Sequence, residues 1–298
     1  MKLFDQWEQA LFLKILAEHY HDLLRFFDHV TYLDIGYRIK ANQVLPELAL
    51  RIHVRRKLPL AQLLPAQILP NQIAGFTVDV LQSNPIPQEA AAERDRHFDP
   101  VPGGVAIANQ KLSGLGTLGM VVFDNRTHQP MGLSAHHVLV GAIGQTGDPV
   151  TQPASKAAQE TVGQVARWNQ ELDCAVFEFN HSRHIARTIL GLAHSPTTIK
   201  EPLVGMSVTK SGRTTGVTYG MIDGVNPDGF TIIPDPNHPA PNTEISSPGD
   251  SGALWIEVST GAALGLHVAG EQDPDPAAER AWAKRISKVM SALAVDLE

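Results

Sequence analysis

The sequence predicts a mainly β protein with a small α+β unit in front and a helix at its end, and three observations carry that expectation. From about residue 101 onward, short β-branched segments alternate with clusters of Gly, Pro, Asn and Asp, the punctuation of an all-β domain. Before them stand one long amphipathic stretch and a few alternating segments. Between the two, residues 83–102 turn polar, with prolines at both ends and an alanine-rich charged middle, which reads as a linker holding at most a short helix. The expected division is residues 1–95 for the N-terminal unit with its linker and 96–298 for the larger domain.

The elements follow in order. Phe4, Trp7, Leu11, Ile15, Leu23, Phe26, Phe27 and Val30 recur at helical spacing, so residues 3–29 read as one helix. Its aromatic-rich stripe either packs on its own domain or docks a protein partner. His19 and His21 flank Tyr20 with no further ligands nearby, so no metal is expected there. Tyr32–Ile39 is the first strand. Leu48, Leu50, Ile52 and Val54 alternate with Ala49, Arg51, His53 and Arg55, the period of a half-buried strand. On that reading Arg51, His53, Arg55, Arg56 and Lys57 form a solvated face. Pro59, Pro65 and Pro70 leave room only for short helical turns, and Phe76–Leu81 makes a third strand.

In the larger domain the expected strands are Gly116–Phe123, Val162–Trp168, Cys174–Phe179, Met206–Lys210, Thr214–Ile222, Phe230–Ile233, Leu254–Val258 and Ala263–Val268. Asp124-Asn125 signals a hairpin turn. Ala277–Leu297 reads as a terminal helix with Trp282, Ile286, Met290 and Leu293 on one face.

Composition narrows the function. The 298 residues are 43% hydrophobic and 18% charged, a globular chain of one or two domains. A net charge of −7 argues against a nucleic-acid surface. No apolar run reaches the ~18 residues of a membrane span. Asp5, Glu8, Lys14 and Glu18 interrupt what a signal peptide would need to keep uncharged. Cys174 is the single cysteine, permits no internal disulfide, and reads as a buried packing group.

Three short stretches carry chemistry. Ser247-Pro248-Gly249-Asp250-Ser251-Gly252-Ala253-Leu254 runs a G-D-S-G core into an apolar strand. A nucleophilic serine needs backbone N–H groups aimed at the oxyanion it creates, and Gly249 permits the tight turn that supplies them. Alone, the same residues also describe a polar turn ahead of a strand. Upstream, Met131–Leu139 delivers a histidine at a strand end, and in Glu171–Phe177 an aspartate opens an apolar strand. S-A-x-H-V (Ser134–Val138), D-x-A-V (Asp173–Val176) and G-D-S-G-A (Gly249–Ala253) together resemble the three catalytic boxes of the trypsin/chymotrypsin-like serine proteases. They stand in that family's order, 36 and 78 residues apart.

The resemblance implies a double β-barrel of two six-stranded barrels. It implies Ser251 as nucleophile, His137 as its base and Asp173 as the group that orients the imidazole, with the Gly249 and Ser251 amides as oxyanion hole. His136 competes for the base but occupies the position that is small or polar in the family's box, and Asp148 is the alternative carboxylate. Neither a cofactor nor a metal is implied. Secreted members are disulfide-stapled, so a lone cysteine implies a reducing, cytoplasmic setting.

Glu47-Leu48-Ala49-Leu50 with Val54, then Lys57-Leu58-Pro59-Leu60, also resemble the N-terminal region of little-characterised bacterial trypsin-like proteins. So do Lys210–Gly216 and Thr218-Tyr219-Gly220. The resemblance gives that N-terminal region no function, and a protein partner is the open expectation for it. The activity implied for the whole chain is a serine endopeptidase acting on protein or peptide substrates through an acyl-enzyme. The alternatives are a protease-fold binding or scaffold module and, more weakly, an esterase.

The specificity pocket would be built from Ile245 at its base, Ser246 beside it, and a wall over 265–270 that includes His267 and Gly270. Ile245 argues against basic substrates. His267 stands where the family's glutamate-specific members carry a histidine, which leaves two readings, an acidic pocket or an apolar one. No Arg/Lys-Ile-Val-Gly-Gly junction precedes the domain, only Pro102-Gly103-Gly104-Val105. No family-style zymogen cleavage is therefore expected, and Asp250 must find another donor.

Overall fold

The computed structural model describes residues 3–27, 29–40, 43–83, 93–155, 157–238, 244–271 and 279–298. It is mainly β, with a curled half-barrel followed along the chain by a closed six-stranded barrel. In the second, six strands close on themselves: Ser207–Gly212, Leu254–Glu257, Ala263–Gly270, Ala281–Arg285, Gly229–Pro234 and Gly216–Val225, which pairs back to Ser207–Gly212. The first is a curled antiparallel sheet ordered Gly116–Leu118, Val105–Asn109, Pro149–Thr151, Thr161–Asn169, Cys174–Phe179, Pro130–Ala135 and Met120–Asp124. Most strand positions bury both faces, so these strands read as continuous apolar runs rather than strict alternations. Gly119 divides the single strand expected over 116–123, because the chain there presses against the Gly252 carbonyl.

The N-terminal unit extends the second barrel's sheet. Helix α1 (Gln6–Phe26) is capped by Asp5, whose carboxylate accepts the Glu8 amide at 2.8 Å. Strand β1 (Val30–Lys40) pairs antiparallel with Gly216–Val225 through Ile35–Val225 and Gly36–Gly224. Strand β2 (Gln43–Val54) follows β1, and Phe76–Gln82 runs parallel to β2 after two single 3-10 turns in the proline-punctuated segment. Phe4, Leu16 and Leu23 of the N-terminal segment share one core with Leu33, Ile35 and Tyr37 and with Met221, Phe230 and Trp255 of the barrel. Each such side chain removed from water contributes about 1.5–3 kcal/mol. The helix therefore packs on its own protein, while Trp7, Leu11 and Phe26 of the expected stripe face solvent.

Two expectations need correction. The strand over 48–54 is buried on both faces, so Arg51 and His53 are fully buried and only Arg55, Arg56 and Lys57 are solvated. The terminal helix is short, Ile286–Leu293. Ala281–Arg285 is instead a barrel strand between Gly229–Pro234 and Ala263–Gly270, and Trp282 lies on it. Ala294 in the left-handed region ends the helix, and Arg167 donates to the Leu293 and Ala294 carbonyls, placing a cation at its C-terminus. Residues 93–102 of the linker hold no helix, and its remainder, 84–92, lies outside the described residues.

Candidate active site

His137 and Asp173 meet because their strands pair. Cys174 lies opposite Ala135 in the first barrel, which sets Asp173 beside the one-turn helix His136–Leu139. Asp173 adopts φ +46°, a left-handed conformation that aspartate tolerates better than most residues. It grips the turn at three points: its carbonyl accepts the His136 amide at 3.1 Å, Oδ1 accepts the His137 amide at 3.0 Å, and Oδ2 lies 2.7 Å from His137 Nδ1. A carboxylate can only accept, so Nδ1 is the donor, and in the neutral ring Nε2 keeps its lone pair. That is the tautomer a general base needs. His136 is buried, its ring tilted at 43° to that of Trp168 with centroids 6.4 Å apart, and its Nδ1 lies 4.0 Å from Asp173 Oδ1, beyond hydrogen-bonding range. Asp148 is elsewhere, held by Lys111 at 2.6 Å, Asn109 at 3.2 Å and the Gln145 amide at 2.9 Å. It serves a loop of the first barrel.

Ser251 sits on a turn tied to the strand that delivers His137. Thr117 donates its amide to the Ser251 carbonyl and its hydroxyl to the Gly249 carbonyl, both at 2.8 Å, and its own carbonyl accepts from Ser134 Oγ at 2.7 Å. Ser134 opens the box that contains His137. Gly252 stands at φ +93°, and a Cβ there would overlap Ser134 Oγ and the Thr117 carbonyl. Glycine is what lets the two segments touch. Gly249 stands at φ +96°. The turn's other amides are occupied: Asp250 donates to Ser247 O at 3.0 Å, Gly252 to His267 O at 2.8 Å, and Ala253 to Asp250 O at 2.9 Å. Among the described residues the Gly249 and Ser251 amides donate to no protein acceptor, which leaves them available to an oxyanion.

The side chain of Asp250 turns away into the barrel and is fully buried. Lys210 Nζ, the Thr215 hydroxyl and the Ser247 amide donate to its Oδ2 at 2.8, 2.6 and 3.1 Å. The Thr214 and Thr215 amides donate to Oδ1 at 2.9 and 3.2 Å. Burial pushes the carboxyl pKa upward, but the Lys210 charge and these hydrogen bonds outweigh it and hold the group below the usual carboxylate range. Lys210 is thus the donor that the sequence left unnamed. Its signal was a lysine inside an apolar strand segment, a position that a charge rarely occupies without a partner. Thr117 carried no signal at all.

The residues expected to form the specificity pocket are each held by strands or neighbours of the second barrel. Ile245 and Ser246 are buried, with Thr218 Oγ1 donating to the Ile245 carbonyl at 2.7 Å. Ser246 Oγ is buried without a hydrogen-bond partner among the described residues. His267 is buried, and Trp255 Nε1 donates to its Nδ1 at 3.4 Å. Burial, with the nearby Lys210 charge, pushes the His267 imidazole pKa down to about 3, so it is neutral. The imidazolium on which the acidic reading relied is not the resting form of this residue. Gly270 pairs with Ala281 at the end of the pocket wall. Glu279, which nothing in the sequence marked, accepts the Ile245 and Ser246 amides at 3.2 and 3.3 Å.

Among solved structures, the chain is similar to the Nocardiopsis protease, with 17% identity over 66% of this chain and 98% of that one and a TM-score of 0.51. It is similar to a glutamic acid-specific serine protease described as using a histidine triad in substrate binding, with 20% identity over 66% of this chain and all of that one, TM-score 0.50. Thermobifida fusca protease A matches at 20% identity over 66% and 97%, TM-score 0.49. No family model matches the sequence, and no curated protein does. At these identities the likeness concerns the fold, and the fold is the trypsin-like double β-barrel of bacterial serine proteases.

Proposed function

We propose that this protein is a serine endopeptidase that cleaves peptide bonds through Ser251, His137 and Asp173. The observation that carries the reading is the His137 Nδ1–Asp173 Oδ2 bond of 2.7 Å, reinforced by the His137 amide on Oδ1, in a turn tied through Ser134 and Thr117 to the Ser251 loop.

On this reading His137 Nε2 takes the proton from Ser251 Oγ as the oxygen attacks the scissile carbonyl carbon. Asp173 holds the tautomer and stabilises the imidazolium that results. Negative charge develops on the carbonyl oxygen, where the Gly249 and Ser251 amides receive it, and one such donor is worth about 3 kcal/mol of barrier. The imidazolium then returns its proton to the leaving amine as the C–N bond breaks, leaving an acyl group on Ser251. Water, deprotonated by the same imidazole, attacks the ester and releases the acid. Substrates are proteins or peptides.

A fluorophosphonate probe tests the reading directly. It bonds covalently to a serine that an adjacent base has activated. The expected result is one adduct on the wild-type chain, absent from Ser251→Ala, accompanied by cleavage of a peptide library. A folded wild-type chain that forms no adduct would instead identify a protease-fold binding module. An adduct with ester hydrolysis but no peptide cleavage would identify an esterase.

A further inference from the structure

A cluster of charges outside the candidate catalytic centre joins the N-terminal unit to the second barrel. Arg51 of β2 is fully buried and donates twice to Asp34 of β1, Nε to Oδ1 at 2.7 Å and Nη2 to Oδ2 at 2.6 Å. Its Nη1 reaches Asp223 Oδ2 of the barrel at 2.8 Å, and its Nη2 reaches Thr231 Oγ1 at 2.9 Å. Asp223 Oδ2 also accepts from Arg280 Nη2 at 3.1 Å. His53 Nε2 closes the cluster on Asp34 at 3.3 Å, with Ser83 Oγ 2.9 Å from its Nδ1. Two carboxylates face two guanidiniums, so the charges balance only while both units are docked.

Arg280 has Glu279 as its chain neighbour. The Glu279 carboxylate is buried and accepts the amides of Ile245 and Ser246, the two residues at the base of the candidate specificity pocket. A cavity of about 200 Å³ is lined by Tyr37, Ile39 and Val44 of the N-terminal unit and by Asp223, Glu279 and Arg280. Arg280 Nε and Nη2 both reach Asp223 Oδ2, at 3.4 and 3.1 Å. The Arg280 side chain thus ties the stretch that carries Glu279 to the charge cluster.

We propose that Glu279 is a positioning residue that shapes the base of the substrate pocket, and that the N-terminal unit holds it there through Arg51, Asp223 and Arg280. Residues 1–83 are then a standing part of the substrate-binding machinery, not a segment to be removed. The proposal rests on the protease reading above. Glu279 touches no reacting atom, so its loss acts on substrate affinity more than on turnover.

Peptide hydrolysis by the full chain tests it, with Glu279→Ala, Glu279→Gln, Asp223→Asn and the double variant Asp223→Asn/Glu279→Ala. Fluorophosphonate labelling of Ser251 is followed in parallel. Glu279→Ala is expected to raise KM about tenfold, the scale of one charge-assisted hydrogen bond, with kcat changed much less and labelling retained. Glu279→Gln keeps an acceptor oxygen and restores KM. Asp223→Asn raises KM in the same direction, and the double variant is no worse than Glu279→Ala alone, because both act through one acceptor. If Asp223→Asn fails to fold, Arg280→Gln breaks the same link from its other end.

An unchanged KM in Glu279→Ala, or a Gln variant as impaired as the Ala variant, overturns the role of Glu279. Effects that multiply in the double variant overturn the link that runs from Asp223 through Arg280 to Glu279. A wild-type chain that neither labels nor cleaves overturns the protease reading and this proposal with it. A wild type that does both while every variant stays unchanged overturns this proposal alone.

Discussion

Lys210 Nζ stands 2.8 Å from Asp250 Oδ2 with both side chains wholly buried, directly behind the turn that carries Ser251. The pair fixes that turn from within the folded chain, so its shape depends on no newly cut N-terminus. The intact 298-residue chain is expected to be labelled by a fluorophosphonate at unchanged backbone mass. Intact-mass analysis in which only a chain trimmed near residue 100 reacts would overturn this. Lys210→Met leaves a buried carboxylate unpaired, which costs about 3–5 kcal/mol. Loss of labelling together with a lower melting temperature is the expected outcome.

The geometry around Asp173 separates the two adjacent histidines. Only His137 has its Nδ1 in contact with the carboxylate, at 2.7 Å, while His136 stands at 4.0 Å. Ser251→Ala and His137→Ala are expected to lower kcat by roughly four to six powers of ten, and Asp173→Asn, which favours the wrong tautomer, by about four. His136→Ala should remain within about tenfold of wild type. Steady-state hydrolysis of one peptide by all four variants checks the set. Near-normal turnover in His137→Ala with inactivity in His136→Ala would reverse the assignment.

How far the sequence reached depends on how local each feature is. Ser134–Val138, Asp173–Val176 and Gly249–Ala253 were readable because each needs particular residue types within a few positions, and strand pairing between Ala135 and Cys174 then brings the first two together. The buried Arg51 was not readable. Its partners Asp34 and Asp223 lie 17 and 172 residues away, and a basic residue alternating with apolar ones looks solvated until they are found. Ala281–Arg285 misled for another reason. Trp282, Ile286, Met290 and Leu293 have helical spacing, but the barrel needs a strand between Gly229–Pro234 and Ala263–Gly270, and tertiary pairing overrides local propensity.

Glu279 gives the stability a pH dependence. Burial, opposed in part by the Ile245 and Ser246 amides, pushes its carboxyl up to about 7. Unfolding returns it to the ordinary glutamate range, so between about pH 4.5 and 7 the folded state binds the extra proton. Stability from this group is therefore present at the acidic end and lost as pH rises through 7, with a penalty of at most about 3 kcal/mol at pH 8. Glu279→Gln removes the titration and keeps an acceptor. The variant should melt near the wild type at pH 5 and several degrees above it at pH 8. Thermal scans at the two pH values decide it, and a difference that does not grow with pH would count against the assignment.

Primary specificity follows from the state of His267. At about 3, its pKa makes charging the ring at pH 7 cost on the order of 5 kcal/mol, more than the about 1.5–3 kcal/mol that a charge-assisted hydrogen bond to a substrate carboxylate returns. Its ring partner among the described residues is Trp255. On the proposed reading, Ile245 gives the pocket an apolar base and the buried Ser246 hydroxyl, without a hydrogen-bond partner among the described residues, a single polar contact. The pocket is therefore expected to take a medium apolar side chain. Otherwise identical peptides with Leu, Glu or Arg just before the scissile bond should show Leu favoured over Glu by about tenfold or more in kcat/KM. The order Leu over Glu should persist in His267→Ala. A Glu preference that disappears in that variant would restore the acidic reading, and a preference for Arg would exclude both.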